Sequence, residues 1–326
     1  MHAHEVTYDF HSPLARWMVM FLEEKRSLGC HYVSERAVMA RLDRHLCAVG
    51  LDAAHLPREM IEPWTAAAPH ERPASQAKRA TIARQFARFL TRHDILAWYC
   101  RNPHASRTDQ YVPFIFTHEQ VRAVISAADH LRPDGHAPLR HVVMPEIFRL
   151  LYSTGVRISE ALALHVADVD FDRGAITVFD SKFHRTRLVP LGAEMLARLK
   201  RFATALGTRK PDAAFFPAPD GLVYSRYAVY TIFRGLLRKA GISHGGRGSG
   251  PRIHDLRHTF AVHRLAAWYR QGVDIGAKLP YLAAYMGHKH VTGTARYLRL
   301  TPEIFPDVVV LLERFVGNAV PRLVTP

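Results

Sequence analysis

Through the first hundred residues apolar positions recur at intervals of three and four, the period of helices buried on one side, and no convincing alternation of apolar and polar residues interrupts them. The pattern predicts helices from about Pro13 to Leu28, Ser34 to Val49, Pro57 to Ala68 and Ala74 to His93, with breaks at Gly29, Gly50 and the stretch from Pro69 to Pro73. The last helix is two-sided. Ile82, Phe86, Phe89 and Leu90 make an apolar face, while Arg84, Arg88 and Arg92 recur every fourth residue on another, with Lys78 and Arg79 about a turn earlier. Such a helix packs on a core and holds cations outward, either towards phosphates or simply towards water.

From Arg101 to Phe116 two prolines and the lack of any helical or strand period mark a linker. The chain is therefore expected to divide into a helical domain over 1–100, a linker over 101–116 and a second domain over 117–326. Thr117, with Gln120 three positions on, has the form of a capping box for a helix reaching about Leu131, and another helix is predicted from about Leu139 to Tyr152. Gly174 to Phe179 and Thr186 to Leu191 are short β-rich stretches flanking Ser181-Lys182-Phe183-His184, which predicts a small antiparallel sheet. The remainder reads as mainly helical. It includes a helix after Pro251 and a late segment in which Val308, Val309, Leu311, Leu312 and Phe315 share an apolar face ending at Gly317.

Length supports the division, since 326 residues exceed what one core usually organises. Charge adds a partner: 44 Lys and Arg against 29 Asp and Glu leave +15, the balance of a chain that meets a polyanion such as nucleic acid. Cys30, Cys47 and Cys100 have no Cys-x-x-Cys spacing, which argues against a disulfide framework or a zinc ribbon and fits a reducing cytosol. The early apolar run from Trp17 to Leu22 is too short to span a bilayer and is followed at once by charges. A cytoplasmic protein without membrane contact is expected.

The candidate chemistry starts at His254-Asp255-Leu256-Arg257-His258. A three-residue spacing sets His254 and Arg257 on one side of the predicted helix, an imidazole beside a guanidinium. Two histidines four apart can also bind zinc, but the residue after the first is Asp255 and not the glutamate a metalloprotease helix uses. Three further segments fall in with this one. They are Ser153-Thr154-Gly155-Val156-Arg157-Ile158-Ser159-Glu160, Ser181-Lys182-Phe183 followed by Arg187-Leu188-Val189-Pro190-Leu191, and Gly287-His288 with Tyr297 nine residues beyond the histidine.

In order and spacing these four segments resemble the catalytic domain of the tyrosine recombinase (phage integrase) family, over roughly residues 112 to 300. The resemblance implies a mainly α fold with a small antiparallel β-sheet, a helical N-terminal DNA-binding domain and an α+β catalytic domain. It implies Arg157, Lys182, His254, Arg257, His288 and Tyr297 as catalytic residues. Tyr297 would be the nucleophile, His254 the group that takes its proton, His288 a donor to the phosphate and Lys182 the general acid. Ser-Lys-Phe stands where the family often has Gly-Lys-Gly, so His184, Arg185 and Arg187 compete with Lys182. Lys78, Arg79, Arg84, Arg88 and Arg92 are the expected DNA contacts of the first domain.

The residue types suit the chemistry on physical grounds. A phosphodiester repels a nucleophile, so a site must supply fixed cations for the charge of the transition state, and arginines can fork onto its oxygens. Ionising a tyrosine at pH 7 costs about 4 kcal/mol, which positive charge or a base must offset. A phosphotyrosine preserves the energy of the broken bond, so no metal or cofactor is expected. The expected partner is double-stranded DNA, bound by a homotetramer across two sites and compatible with a monomer in solution; the late apolar face docks in cis or on a neighbouring protomer. The alternatives are a type IB topoisomerase-like strand transferase and an inactive DNA-binding accessory protein.

Overall fold

In the computed structural model the chain forms two compact units, residues 1–111 and 112–326. The structure describes residues 9–30, 32–71, 73–99, 112–180, 185–246 and 250–300.

The first unit is built from α1 (Ala15–Ser27), α2 (Val33–Ala48), α3 (Arg58–Thr65) and α4 (Pro73–Arg92). Each boundary lies within three residues of the one the periodicity predicts. Met18, Phe21 and Leu22 of α1, Met39, Leu42 and Leu46 of α2, and Phe86, Phe89 and Leu90 of α4 close a common core. Phe21 meets Phe86 and Phe89 edge-on at 5.5 Å, an arrangement that suits aromatic quadrupoles. Buried Asp43 ties down the entry to α1 by accepting the backbone N–H groups of His11 and Ser12 at 2.9 Å.

The second unit begins with α5 (His118–Asp129), and both limbs of the capping box are present: Gln120 N donates to Thr117 Oγ1 and Thr117 N donates to Gln120 Oε1. Then follow α6 (Arg140–Thr154), the short α7 (Ile158–Leu162), a sheet, α8 (Ala193–Ala205), α9 (Arg226–Lys239), α10 (Ile253–Arg270), α11 (Ile275–Met286) and the single turn α12 (Thr292–Ala295), which runs into a 3-10 turn over Arg296–Leu300. The sheet is antiparallel in the order β1 (Val169–Asp170), β2 (Ala175–Asp180), β3 (Arg185–Pro190). The two-residue β1 is too short for an alternating pattern to reveal it. Register pairs Ile176 with Val189 and Val178 with Arg187. Ile176, Val178 and Val189 are buried while Phe179 and Leu188 are exposed, so Arg187 occupies an inward position of β3.

α10 is the axis of this unit. From Ile253 to Ala266 it is buried on nearly all sides, and its buried residues include Asp255, Arg257, His258, Thr259 and His263. A helix that buries polar groups must give them partners: Asp255 accepts from Arg252 N of its own cap, Thr259 from Phe116 N, and Arg257 donates to carbonyls at the ends of two neighbouring helices. No helix among the described residues is long and apolar enough to cross a membrane.

Candidate active site

Two helix ends meet above α10. α6 stops at Gly155 and α11 at Gly287, both in the left-handed region at φ 66° and 71°. Glycine is required at each for a second reason. A Cβ on Gly155 would lie 2.4 Å from the Phe260 ring, and one on Gly287 would lie 2.7 Å from Nη1 of Arg187. Carbonyls at a helix C-terminus lack intrahelical donors and carry the negative end of the macrodipole, so they attract cations.

Three arginines answer them. At the end of α11, Arg187 donates through Nε to the carbonyl of Tyr285 (3.1 Å), Arg257 through Nη2 to Met286 (2.6 Å) and Arg157 through Nη2 to Gly287 (3.3 Å). Three consecutive carbonyls thus each hold one guanidinium, supplied by β3, by α10 and by the residue before α7. Arg257 also donates through Nη1 to the Gly155 carbonyl at 2.5 Å, so it bridges the ends of α6 and α11 and is 2% exposed. Burial, followed by the charge of Arg157, lowers its pKa to about 10, which leaves it a cation at neutral pH.

One carboxylate serves two of the three. Glu160 accepts from Arg157 Nη1 (2.6 Å) and from Arg187 Nη1 and Nη2 (3.1 and 2.7 Å), and it caps α7 by accepting the backbone N–H of Arg157 at 2.8 Å. Burial pushes the Glu160 pKa up, but the Arg187 hydrogen bonds, the Arg157 N–H and both positive charges outweigh it and hold the group below its ordinary range.

The imidazoles and the tyrosine complete the cluster. Tyr297, 2% exposed, is hydrogen-bonded through Oη to Nδ1 of His258 at 2.9 Å. The His254 ring stands edge-on to His258 at 4.7 Å, and the His288 ring lies roughly parallel to Tyr297 at 6.1 Å. His288 is oriented through Nδ1 by Thr294 Oγ1 at 2.6 Å. Burial raises the Tyr297 pKa, opposed by Arg257, Arg296 and Arg157. Burial, with Arg257 second, lowers His254 and His288 to about 4, and burial, with His254 second and Arg296 third, lowers His258 to about 3, so all three are neutral at pH 7.

Arg157, His254, Arg257, His288 and Tyr297, spread over 140 residues of chain, are therefore gathered at one place, with Arg157 and half-buried His254 and His288 on its accessible side. Lys182 and its competitor His184 lie outside the described residues. Arg187, another competitor, is occupied by Glu160 and the Tyr285 carbonyl. Sequence reasoning missed the roles of Glu160, Arg187 and His258. The first two left a faint signal, a Glu three residues after Arg157 and an arginine in phase with buried Val189. His258 left none, because its partner is 39 residues away.

In the first unit, the basic residues of α4 have partners of their own. Lys78 Nζ lies 3.1 Å from Glu35 and donates to Ser34 Oγ at 2.7 Å. Arg79 pairs with Glu71, donates to the Ala66 carbonyl at 2.9 Å and covers the Trp64 ring at 5.2 Å. Arg92 grips Glu24 with contacts of 2.8 and 2.9 Å. Arg88 is exposed and Arg84 half-buried.

Residues 115–303 match the model of the phage integrase family. The chain is 31% identical over 307 residues to the integrase/recombinase-type protein y4rB of Sinorhizobium fredii, covering 90% of this chain and 95% of that one. It is 32% identical over 233 residues to tyrosine recombinase XerD of Ralstonia nicotianae, covering 69% of each. Its fold is similar to that of the XerH site-specific recombinase in a post-cleavage complex with a palindromic difH substrate, with a TM-score of 0.66, 15% identity and coverage of 96% of this chain and 99% of that one.

Proposed function

Because the chain belongs to the phage integrase family of tyrosine recombinases, we propose that it cleaves and rejoins double-stranded DNA at specific sites through a covalent 3′-phosphotyrosyl bond to Tyr297. The observation that carries this reading is the burial of one tyrosine hydroxyl among Arg257, His258 and His288.

A phosphate approaching from the accessible side meets Arg157 first. Arg157 and Arg257 are held from behind by carbonyls and Glu160, so their charge is fixed before substrate arrives and little reorganisation is needed as the transition state forms. His288, oriented by Thr294, donates to a non-bridging oxygen. Oη of Tyr297 attacks phosphorus, and the departing 5′ oxygen takes a proton from Lys182. Rejoining reverses these steps without an added cofactor, because the phosphotyrosine conserves the bond's free energy. Exchange between two duplexes passes through a Holliday junction held by four copies of the chain, and α4 of the first unit contributes phosphate contacts that add affinity.

The test is a nicked substrate whose cleaved end diffuses away. Wild type accumulates a covalent protein–DNA adduct, while Tyr297→Phe binds the same DNA and forms none; an adduct with the variant would remove Tyr297 from the role. Two differently labelled sites then separate recombination from simple strand transfer, since only the former yields a four-way junction.

A further inference from the structure

The Tyr297 hydroxyl is held by a residue that the spacing of the motifs did not single out. Nδ1 of His258 lies 2.9 Å from Oη, His258 is 8% exposed, and its ring is tilted 53° against the tyrosine ring at 5.4 Å. Arg257, the preceding residue, brings its positive charge close to the tyrosine and favours the ionised hydroxyl. A neutral imidazole with its hydrogen on Nε2 presents an unprotonated Nδ1, and the tyrosine hydroxyl donates to it across the 2.9 Å contact. His254 meets the His258 ring edge-on.

We infer that His258, rather than His254, accepts the hydroxyl proton of Tyr297 when the tyrosine attacks DNA, an inference that rests on reading Tyr297 as the nucleophile. As the Oη–P bond forms, the O–H bond breaks and the proton passes to Nδ1, leaving an imidazolium whose Nε2 keeps its hydrogen. The P–O5′ bond breaks with its electron pair on the 5′ oxygen, which is protonated by the general acid assigned above to Lys182. On rejoining, the 5′ hydroxyl returns its proton to that acid and attacks phosphorus, the Oη–P bond breaks, and His258 gives its proton back to Oη.

The surroundings of His258 support a base of this kind. Arg252, His254 and Arg257 face it from α10 and its cap, Arg296 and Tyr297 from the closing 3-10 turn, while His288 stands on the far side of the tyrosine ring. Burial first, and then His254 and the arginines Arg296, Arg252 and Arg257, keep the imidazole neutral before DNA arrives, which is the form that can receive a proton. A phosphodiester docked on Arg157 and Arg257 brings negative charge into the cluster and offsets the same cations, so basicity rises as the substrate binds.

Adduct formation by the full chain on the nicked substrate, in single turnover from about pH 6 to about pH 9, tests the inference with His258→Ala, His258→Asn, His254→Ala and Tyr297→Phe. His258→Asn keeps an oxygen near the Nδ1 position but cannot take up a proton, so it separates proton transfer from packing if His258→Ala melts too low to assay. Both His258 variants are expected to slow adduct formation by about 10² to 10⁴-fold near neutral pH. The deficit should shrink by about tenfold per pH unit as the tyrosine ionises without help, and added imidazole should restore His258→Ala. A wild-type rate for His258→Asn overturns the inference. So does a pH-independent loss in both variants, or a pH-dependent, imidazole-rescued loss in His254→Ala instead. An adduct with Tyr297→Phe overturns the nucleophile assignment itself, whereas no adduct there beside a normal His258→Asn overturns only the role of His258.

Discussion

Helix α4 in the first unit and the arginine cluster of the second both gather positive charge, but they hold it differently. On α4 three of the five cations sit on carboxylates: Lys78 on Glu35, Arg79 on Glu71 and Arg92 on Glu24, which Lys25 also approaches. In the cluster Arg157 and Arg187 share Glu160, and Arg257 is held chiefly by the carbonyls of Gly155 and Met286. A carbonyl dipole fixes a guanidinium without cancelling its unit charge, whereas a carboxylate cancels it. The cluster thus holds its excess positive charge immobilised at one place, where a phosphodiester can satisfy it, while three of the five cations of α4 are answered by carboxylates.

The hardest way to break this comparison is Arg257→Ala. It removes a fixed cation and leaves two buried acceptors, each costing about 1–3 kcal/mol. We expect a loss of about 10² to 10³-fold in single-turnover cleavage together with a lower melting temperature. Cleavage near the wild-type rate would show that the excess charge does not act on the phosphate.

Next, Glu160→Gln should destabilise the fold by about 3–5 kcal/mol, the scale of breaking a buried ion pair from one side. Glu24→Gln, which breaks the Arg92 pair on the surface, should cost under about 1 kcal/mol. Urea unfolding of the two variants measures the difference, and equal losses would mean that buried and surface carboxylates are energetically alike.

Acid should expose the same asymmetry through the half-buried imidazoles. The folded state holds His254 and His288 at about 4, below the unfolded value of about 6.5. Between those values the unfolded chain binds protons that the folded chain refuses, so stability is full above about pH 6.5, falls with decreasing pH and levels off below about 4. His288→Asn should reduce the slope of stability against pH in this window by about one proton, or about 1.4 kcal/mol per pH unit. An unchanged slope would place His288 in a solvated setting.

The smallest effect sharpens the picture within α4. Arg88→Ala, at an exposed position, should lower the slope of log K against log salt by about 0.9 for DNA binding. Arg79, with a side chain only 12% exposed and laid over Trp64, should on replacement by Ala reduce the melting temperature and leave that slope nearly unchanged. Equal slopes for the two variants would erase the distinction between a contact cation and a packing cation.

Local chemistry alone determined the helices of the first unit, the capping box at Thr117 and Gln120, and the pairing of β2 with β3. Periodicity and turn residues act over a few positions, and every competing force at those sites agreed with them. The residues expected to do chemistry were likewise legible, because Arg157, the His254 to Arg257 spacing and the distance from His288 to Tyr297 are written in order along the chain. Tertiary structure alone decided who holds whom. The three arginines on consecutive carbonyls of α11 come from three separate elements, Glu160 reaches Arg187 across 27 residues, and His258 reaches Tyr297 across 39. A nearly all-round buried helix such as α10 shows little amphipathic pattern, so it gives no hint of which side chain faces which neighbour. Hydrogen bonds of this kind depend on where helices end in space, and a glycine such as Gly287 discloses that an end exists but not which guanidinium passes beside it.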